Sequence, residues 1–263
     1  MDGPTAGVAT ATLLQLALCF TAAMNQSHPA RIIFITGTDT GVGKTVLTAL
    51  LLCHLRRRGC NALALKPFCS GGRGDARLVA ALQATLTLDE INPYHFGEPI
   101  APLAAARRQR QVVSLTEATR HIVQFSSACD YLLVEGAGGL MSPLGEGFSA
   151  LELMDRLRCE VIVVASNKLG TINHTLLTLQ ALGACGAHPA RAASQRRTRR
   201  CRAVLMERRT KGGPARSNPA LLAELIAPVP LFRLPHLGSS CCHKTAVEKN
   251  AIKLKNTLAQ ILE

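Results

Sequence analysis

Apolar residues fill several short runs of this chain almost without interruption: 31–36 (RIIFIT), 60–66, 130–135 (DYLLVE) and 160–166 (EVIVVAS). A strand apolar throughout is buried on both faces, as in a parallel sheet. Between these runs the apolar positions recur at helical spacing. Residues 42–58 place Val46, Leu47, Leu50, Leu51 and Leu55 on one face, and 75–84, 114–125 and 171–182 show similar periods. The helix at 114 opens with a capping box, Ser114-x-x-Glu117. Ser217-Asn218-Pro219 reads as the start of another helix, with its cap and a proline in the first turn. Short strands are expected at 203–206 and 229–233, and a last helix over 247–262. Buried strands alternating with helices predict an α/β fold: a doubly wound, mostly parallel sheet with helices on both faces. With no repeat and no linker in sight, residues 31–263 read as a single domain.

Two stretches depart from this pattern. Residues 1–30 carry one charged side chain, Asp2, and an apolar run over 11–23. That run lacks the positive start of a secretory signal and is too short for a membrane span. Met24 lies seven residues before the first strand, so translation could begin there. The segment is expected to be an N-terminal extension, disordered or not native. Residues 183–216 show neither helical nor strand period, and regular patterning stops at Leu182 and resumes near Ser217. They hold nine Arg and one Lys against one Glu, a local +9 that leaves +4 for the rest of the chain. A basic face spread over the fold is therefore not indicated, and neither nucleic acid nor a membrane is the expected partner. An out-of-frame stretch is the favoured reading of this block, ahead of a solvated or nucleic-acid-binding insert.

Composition adds less. Hydrophobic residues make up 48% and charged residues 18%, ample for a core, and with aromatics at 3% and no Trp that core must be aliphatic. The ten cysteines form no CxxC pair and no zinc-site spacing, which suits reduced thiols in a cytoplasmic protein.

The first strand ends in a glycine turn and feeds a helix through Gly43-Lys44-Thr45. Such a turn aims successive backbone N–H groups, and the positive end of the helix dipole, at one concavity that binds phosphate. Lys44 can reach β- and γ-phosphates and the Thr45 hydroxyl can ligate Mg²⁺. The usual spacing wants glycine at 38, where Thr38 stands, with Gly37 beside it, so the loop is a variant of a P-loop NTPase-like site. Mg²⁺ also needs carboxylates. Glu135 closes the third long strand, and Asp75 follows a glycine-rich run, where a plain helix N-cap is the alternative. Lys66 ends the second strand, either as a solvated strand end or as a charge aimed at the transferring phosphoryl group. Residues 167–171 start a helix after a strand. They form either an anion site suited to a substrate carboxylate or a routine turn.

Five segments in order, GTDTGVGKT (37–45), KPFCSG (66–71), NPYHFGEPIAP (92–102), VEGAGGLMSPL (134–144) and NKLGTINH (167–174), together resemble the dethiobiotin synthetases. The match covers residues 31–182 well and 217–238 more loosely. The resemblance implies a homodimeric, Mg²⁺-dependent cyclo-ligase that consumes ATP and joins CO₂ (or bicarbonate) to 7,8-diaminononanoate, in the cytoplasm. It further implies Lys66 and Lys44 as catalytic residues, and Gly41, Val42, Gly43, Lys44, Thr45 and Val46 around the phosphates. Asp75, Glu135, Gly136, Ala137, Gly138 and Pro235 complete the ATP site on this reading. Thr40, Ser70, Leu169 and Gly170 would contact the substrate, the last two across the dimer interface, and Thr45, Asp75 and Glu135 would hold Mg²⁺.

The chain departs from the family at three places. Glu207 follows Met206 where the family has an adenine-reading Asn, Leu103 replaces a frequent His, and the tail from Ser239 has no clear counterpart. Two alternatives remain beside this reading. One is another variant-loop ATPase or synthetase, although partition ATPases carry an early loop lysine absent from 37–43. The other is a non-catalytic nucleotide- or nucleic-acid-binding protein that uses the arginine block.

Overall fold

The computed structural model describes residues 30–184, 200–209, 214–238 and 241–263. The expectation for the N-terminal extension, and most of the arginine-rich block, lie outside these residues.

The first strand, β1 (Arg31–Gly37), runs into α1 (Lys44–Arg57) and then β2 (Ala62–Leu65). A peripheral layer follows: β3 (Phe68–Ser70), α2 (Gly74–Gln83), α3 (Leu88–Ile91), β4 (Tyr94–Phe96), α4 (Pro102–Arg108) and α5 (Leu115–Val123). The chain returns through β5 (Tyr131–Glu135), a small β6–β7 hairpin (Pro143–Gly145, Phe148–Ser149) and α6 (Ala150–Leu157). It then forms β8 (Glu160–Ser166), α7 (Thr171–Ala181), β9 (Cys201–Met206) and α8 (Pro214–Ile226). The last elements are β10 (Leu231–Leu234), α9 (Lys244–Lys253) and α10 (Lys255–Leu262).

The central sheet has the order β10-β9-β8-β1-β5-β2, and all its pairings are parallel. The chain thus winds one way from β1 toward β2 and the other way toward β10, so the sheet is doubly wound as expected. Alternate residues of each strand enter opposite cores. Ile33, Ile35, Leu133, Ile162 and Val164 pack against α1 and the two C-terminal helices. Phe34, Leu132, Val134, Val161 and Val163 pack under α5, α6 and α7. Continuous apolar strands are what a sheet covered on both sides requires. The edge strand β2 is closed by a side chain: the buried Gln83 amide accepts from Ala64 N (2.9 Å) and donates to Ala64 O (2.8 Å), in place of a neighbouring strand.

Several expectations are corrected. Regular structure resumes well before Ser217: Cys201–Met206 is a sheet strand hydrogen-bonded between β8 and β10, with Arg202 to Leu205 buried. The expected helix at 217 begins earlier, at Pro214, and carries Pro219 inside it. Asn218 is buried there, with its amide donating to Asn167 Oδ1. Only half of the 114 capping box forms as expected. Ser114 Oγ accepts from Glu117 N, but it also donates to the Glu117 carboxylate. The last helix is two, joined at Leu254.

Arg202 shows what part of the arginine block does. Its guanidinium donates to Glu160 Oε2 (2.8 Å), while Arg31 donates to both Glu160 oxygens (2.6 and 2.8 Å), tying β9, β8 and β1 together. Burial would raise the Glu160 carboxyl, but the hydrogen bonds and charges of Arg31 and Arg202 outweigh it and hold the group below the usual carboxylate range. Glu160→Ala leaves Arg202 buried without this partner. It is expected to cost about 2–3 kcal/mol, less than a fully buried pair because Glu160 keeps some solvent contact. The depressed folded pKa makes this stabilisation present above the unfolded carboxylate value, about 4.3, and lost as pH falls through the folded one. Urea unfolding of both proteins at neutral and acidic pH checks it. The gap should narrow in acid, and a gap unchanged down to about pH 3 would assign the loss to packing instead.

Candidate functional site

Helix α1 starts at the carboxyl end of β1, and the turn between them is set by two glycines. Gly43 is the helix N-cap at φ 105°, a left-handed conformation open to glycine. Gly37 leaves no room for a Cβ, which would lie 2.7 Å from Val42 Cγ2 and 3.1 Å from Lys44 Nζ. The off-pattern glycine of the sequence is thus a packing requirement. It lets Lys44 fold back, where Nζ donates to Asp39 O (2.8 Å) and Gly138 O (2.6 Å).

Lys66 directly follows β2 and is buried at 4% exposure, so the solvated strand-end reading is wrong. Its backbone N–H donates to Ile91 O and its carbonyl accepts from Asn92 Nδ2, which fixes where the side chain starts. Lys66 Nζ donates to Glu135 Oε1 (2.6 Å) and Gly136 O (2.8 Å), and lies 3.9 Å from Asp75 Oδ2. Thr45 Oγ1 donates to the same Glu135 oxygen at 2.6 Å. Burial alone would lower the Lys66 pKa, yet Glu135 and Asp75 overcome it and raise it. Lys44 has weaker compensation: burial first, then the Lys66 charge, lowers it to about 8. Bringing a phosphate chain against these two ammonium groups relieves their mutual repulsion.

The N-cap of α2 is Arg73 rather than Asp75, and Asp75 sits in the first turn with a half-exposed side chain. The donor set suits a hard cation. Glu135 Oε2 is buried with no hydrogen-bond partner among the described residues, beside a threonine hydroxyl and near a second carboxylate. Among the described residues no three His, Cys, Asp or Glu side chains gather to hold a metal. A Mg²⁺ ion there would complete its shell with water and nucleotide phosphate, its usual habit.

These groups line one cavity of about 680 Å³. Of the residues expected from sequence, Thr40, Gly41, Gly43, Lys44, Thr45, Val46, Lys66, Ser70, Asp75, Glu135, Ala137 and Gly138 meet on its wall. Val42 is buried behind the loop, and Gly136 contributes the carbonyl that Lys66 binds. Leu169, Gly170 and Pro235 do not line the cavity. Leu169 is 82% exposed beside Gly170, the left-handed N-cap of α7. Pro235 follows β10, next to the Leu234 carbonyl that accepts from Glu207 N. Glu207 itself is engaged: Asn167 Nδ2 donates to its Oε2 (2.8 Å) and Arg233 Nε to its Oε1 (2.8 Å). Sequence reading missed Asp39, Ser142 and Cys242. Ser142 lay inside a quoted segment, whereas Cys242 arrives from the tail by folding alone.

A protein-family model described as an AAA domain matches residues 31–200. The ATP-dependent dethiobiotin synthetase of Anaeromyxobacter sp. (strain Fw109-5) is 37% identical over 212 residues, 78% of this chain and 90% of that protein. The chain belongs to the dethiobiotin synthetase family. The enzyme of that name from Mycobacterium avium (strain 104) is 43% identical over 160 residues, 59% of this chain and 70% of its own length. That from Bacillus licheniformis is 39% identical over 153 residues, and there this chain spans 65% of the relative. Membership makes this an ATP-dependent dethiobiotin synthetase, a ligase that forms C–N bonds in biotin biosynthesis. The MinD cell division protein of Aquifex aeolicus shares the fold, with a TM-score of 0.54 at 13% identity, covering 89% of this chain and 97% of that one. The alternative readings of the sequence are not favoured.

Proposed function

We propose that the cavity carboxylates 7,8-diaminononanoate with CO₂ and closes the ureido ring, splitting ATP to ADP and phosphate. The observation that carries this reading is the Lys66–Glu135–Thr45 cluster, which joins the phosphate loop to the floor of the cavity. One amine and CO₂ form a carbamate, whose oxygen attacks the γ-phosphorus of ATP and displaces ADP. The second amine then attacks the carbamate carbon of the mixed anhydride, the C–O bond to phosphate breaks, and the ring closes. Phosphoryl transfer of this kind depends on positioning and charge neutralisation.

Lys44, with the backbone N–H groups of 41–46, holds the phosphate chain. Lys66 places a cation, kept protonated by Glu135 and Asp75, beside the carbamate and the phosphoryl oxygens. Ser70 Oγ, buried without a hydrogen-bond partner among the described residues, and Thr40 bind the diamine or its carbamate. Thr45, Asp75 and Glu135 would hold Mg²⁺, which when bound neutralises phosphate charge. Ala137 and Gly138 shape the phosphate side, and Pro235 lies toward the adenine. Glu207 takes the place of the family's Asn, with its charge offset by Arg233. Leu169 and Gly170 present an exposed helix start suited to a substrate carboxylate brought by a second copy of the chain. The strong exposure of Leu169, just before the N-cap of α7, with Leu177 also exposed on that helix, supports a homodimer. ATP consumption and free cysteines support a cytoplasmic setting.

Purified protein given MgATP, bicarbonate and 7,8-diaminononanoate should form dethiobiotin, detected by mass spectrometry, with equimolar ADP. ADP release that ignores the diamine would point to a different ATPase, and no dethiobiotin at all would overturn the reading.

A further inference from the structure

Cys241 and Cys242 take no part in the chemistry above, yet folding brings them to it. The pair lies between β10 and α9, and the two sulfurs are 3.9 Å apart. Cys242 stands on the wall of the catalytic cavity with Lys44, Thr45, Lys66, Asp75 and Glu135. It is exposed and Cys241 is partly so, whereas Cys53, Cys69, Cys129 and Cys159 are buried. Two sulfurs sharing one pyramidal trivalent centre at ~2.3 Å, with an angle of about 95° between the bonds, would be about 3.4 Å apart, so the pair at 3.9 Å has to close by only about half an ångström to chelate it. Being adjacent in sequence, each sulfur also meets an ion held by the other at high effective concentration. A structural zinc ion would want four protein ligands, and no third His, Cys, Asp or Glu joins them among the described residues. The pair therefore suits a soft centre satisfied by two thiolates.

We propose that Cys241 and Cys242 form a dithiol site for trivalent arsenicals at the rim of the catalytic cavity, and that occupancy there obstructs nucleotide binding. The step balances without any oxidant. Two S–As bonds form, the As–O double bond of R–As=O is lost, its oxygen leaves as water with both thiol protons, and arsenic remains trivalent. Partial desolvation, then the neighbouring Cys241 and the carboxylates Asp75 and Glu135, push the Cys242 thiol up to about 11. One-point reagents that need a thiolate should therefore react slowly here, and chelation by both sulfurs is the favoured chemistry.

The test treats the full-length protein with equimolar phenylarsine oxide, washes it with excess 2-mercaptoethanol, and reads intact mass and binding of a fluorescent ATP analogue. The wild type should keep one phenylarsenic group through the monothiol wash and release it to 2,3-dimercaptopropanol. Affinity for the analogue should fall about tenfold while the group is bound. Cys241→Ser and Cys242→Ser should each bind the analogue like the wild type but lose the group in the monothiol wash. Retention by both serine variants would overturn the site, placing the arsenic on other cysteines. Retention by the wild type with unchanged analogue binding would overturn the obstruction. Because both readouts are independent of turnover, failure here is separable from failure of the proposed reaction.

Discussion

Lys66→Ala is expected to lower dethiobiotin formation by about 10²–10³-fold, the scale seen when one preorganised charge or donor at a reacting oxygen is removed. Lys66 is suited to that role because its ammonium is buried, anchored at 2.6 Å to Glu135, and kept charged by Glu135 and Asp75 despite its burial. The substitution has a second consequence, since it leaves the Glu135 carboxylate buried without its cation. Breaking such a pair costs about 3–5 kcal/mol, so thermal unfolding must be followed beside turnover. The two effects separate in the Lys66→Leu/Glu135→Leu double variant, where an apolar pair replaces the ionic one. It should recover most of the lost stability while remaining inactive. A folded Lys66→Ala protein that turns over normally would remove Lys66 from the mechanism.

Glu135→Gln should be nearly as damaging, by a different route. The amide keeps the size of the carboxylate but contributes no charge to Mg²⁺ or to Lys66. Turnover is expected to fall about 10²-fold, and the Mg²⁺ concentration for half-maximal rate to rise about tenfold or more. The pH profile should change as well. In the wild type, Glu135 is the first of the charges that offset the burial of Lys66. Without it, desolvation and the Lys44 charge favour a neutral amine, and the Lys66 pKa falls. A group with a lowered pKa is charged only at lower pH, so residual activity of the variant should rise as pH falls toward neutrality. A rate that declines with acidification, or an unchanged Mg²⁺ requirement, would count against this role for Glu135.

The parts of the fold that were legible in the sequence share one property, burial on two sides. The expected runs 31–36, 130–135 and 160–166 became Arg31–Gly37, Tyr131–Glu135 and Glu160–Ser166, each within a residue at either end. Their continuous apolar pattern has no other comfortable solution in water. The elements that went unread are short or locally ambiguous. Phe68–Ser70 and Tyr94–Phe96 are three residues each, held by pairing with one another and by a stacked contact between the Phe68 and Tyr94 rings. Three residues carry no period. The strand expected at 203–206 was read short at its start, since Cys201 and Arg202 belong to it and Arg202 is satisfied by Glu160, far away in sequence.

At the site, sequence determined the phosphate loop, because a strand, a glycine turn and a helix with Lys44 and Thr45 at its start are local features. It also placed Glu135 at the carboxyl end of a buried strand, where an open α/β sheet gathers its ligands. What it left open was decided by packing. Lys66 is a buried cation rather than a solvated strand end because β2 lies beside β5, which puts Glu135 within 2.6 Å. Asp75 is a first-turn carboxylate facing that lysine, and the cap it might have been is Arg73. Cys242 reaches the cavity from a tail whose sequence shows no sign of it. Local pattern specifies which elements form, since burial and backbone hydrogen bonding are settled within a few residues. Which charges meet depends on strand order and on chain returns across many residues, and only the folded sheet supplies those.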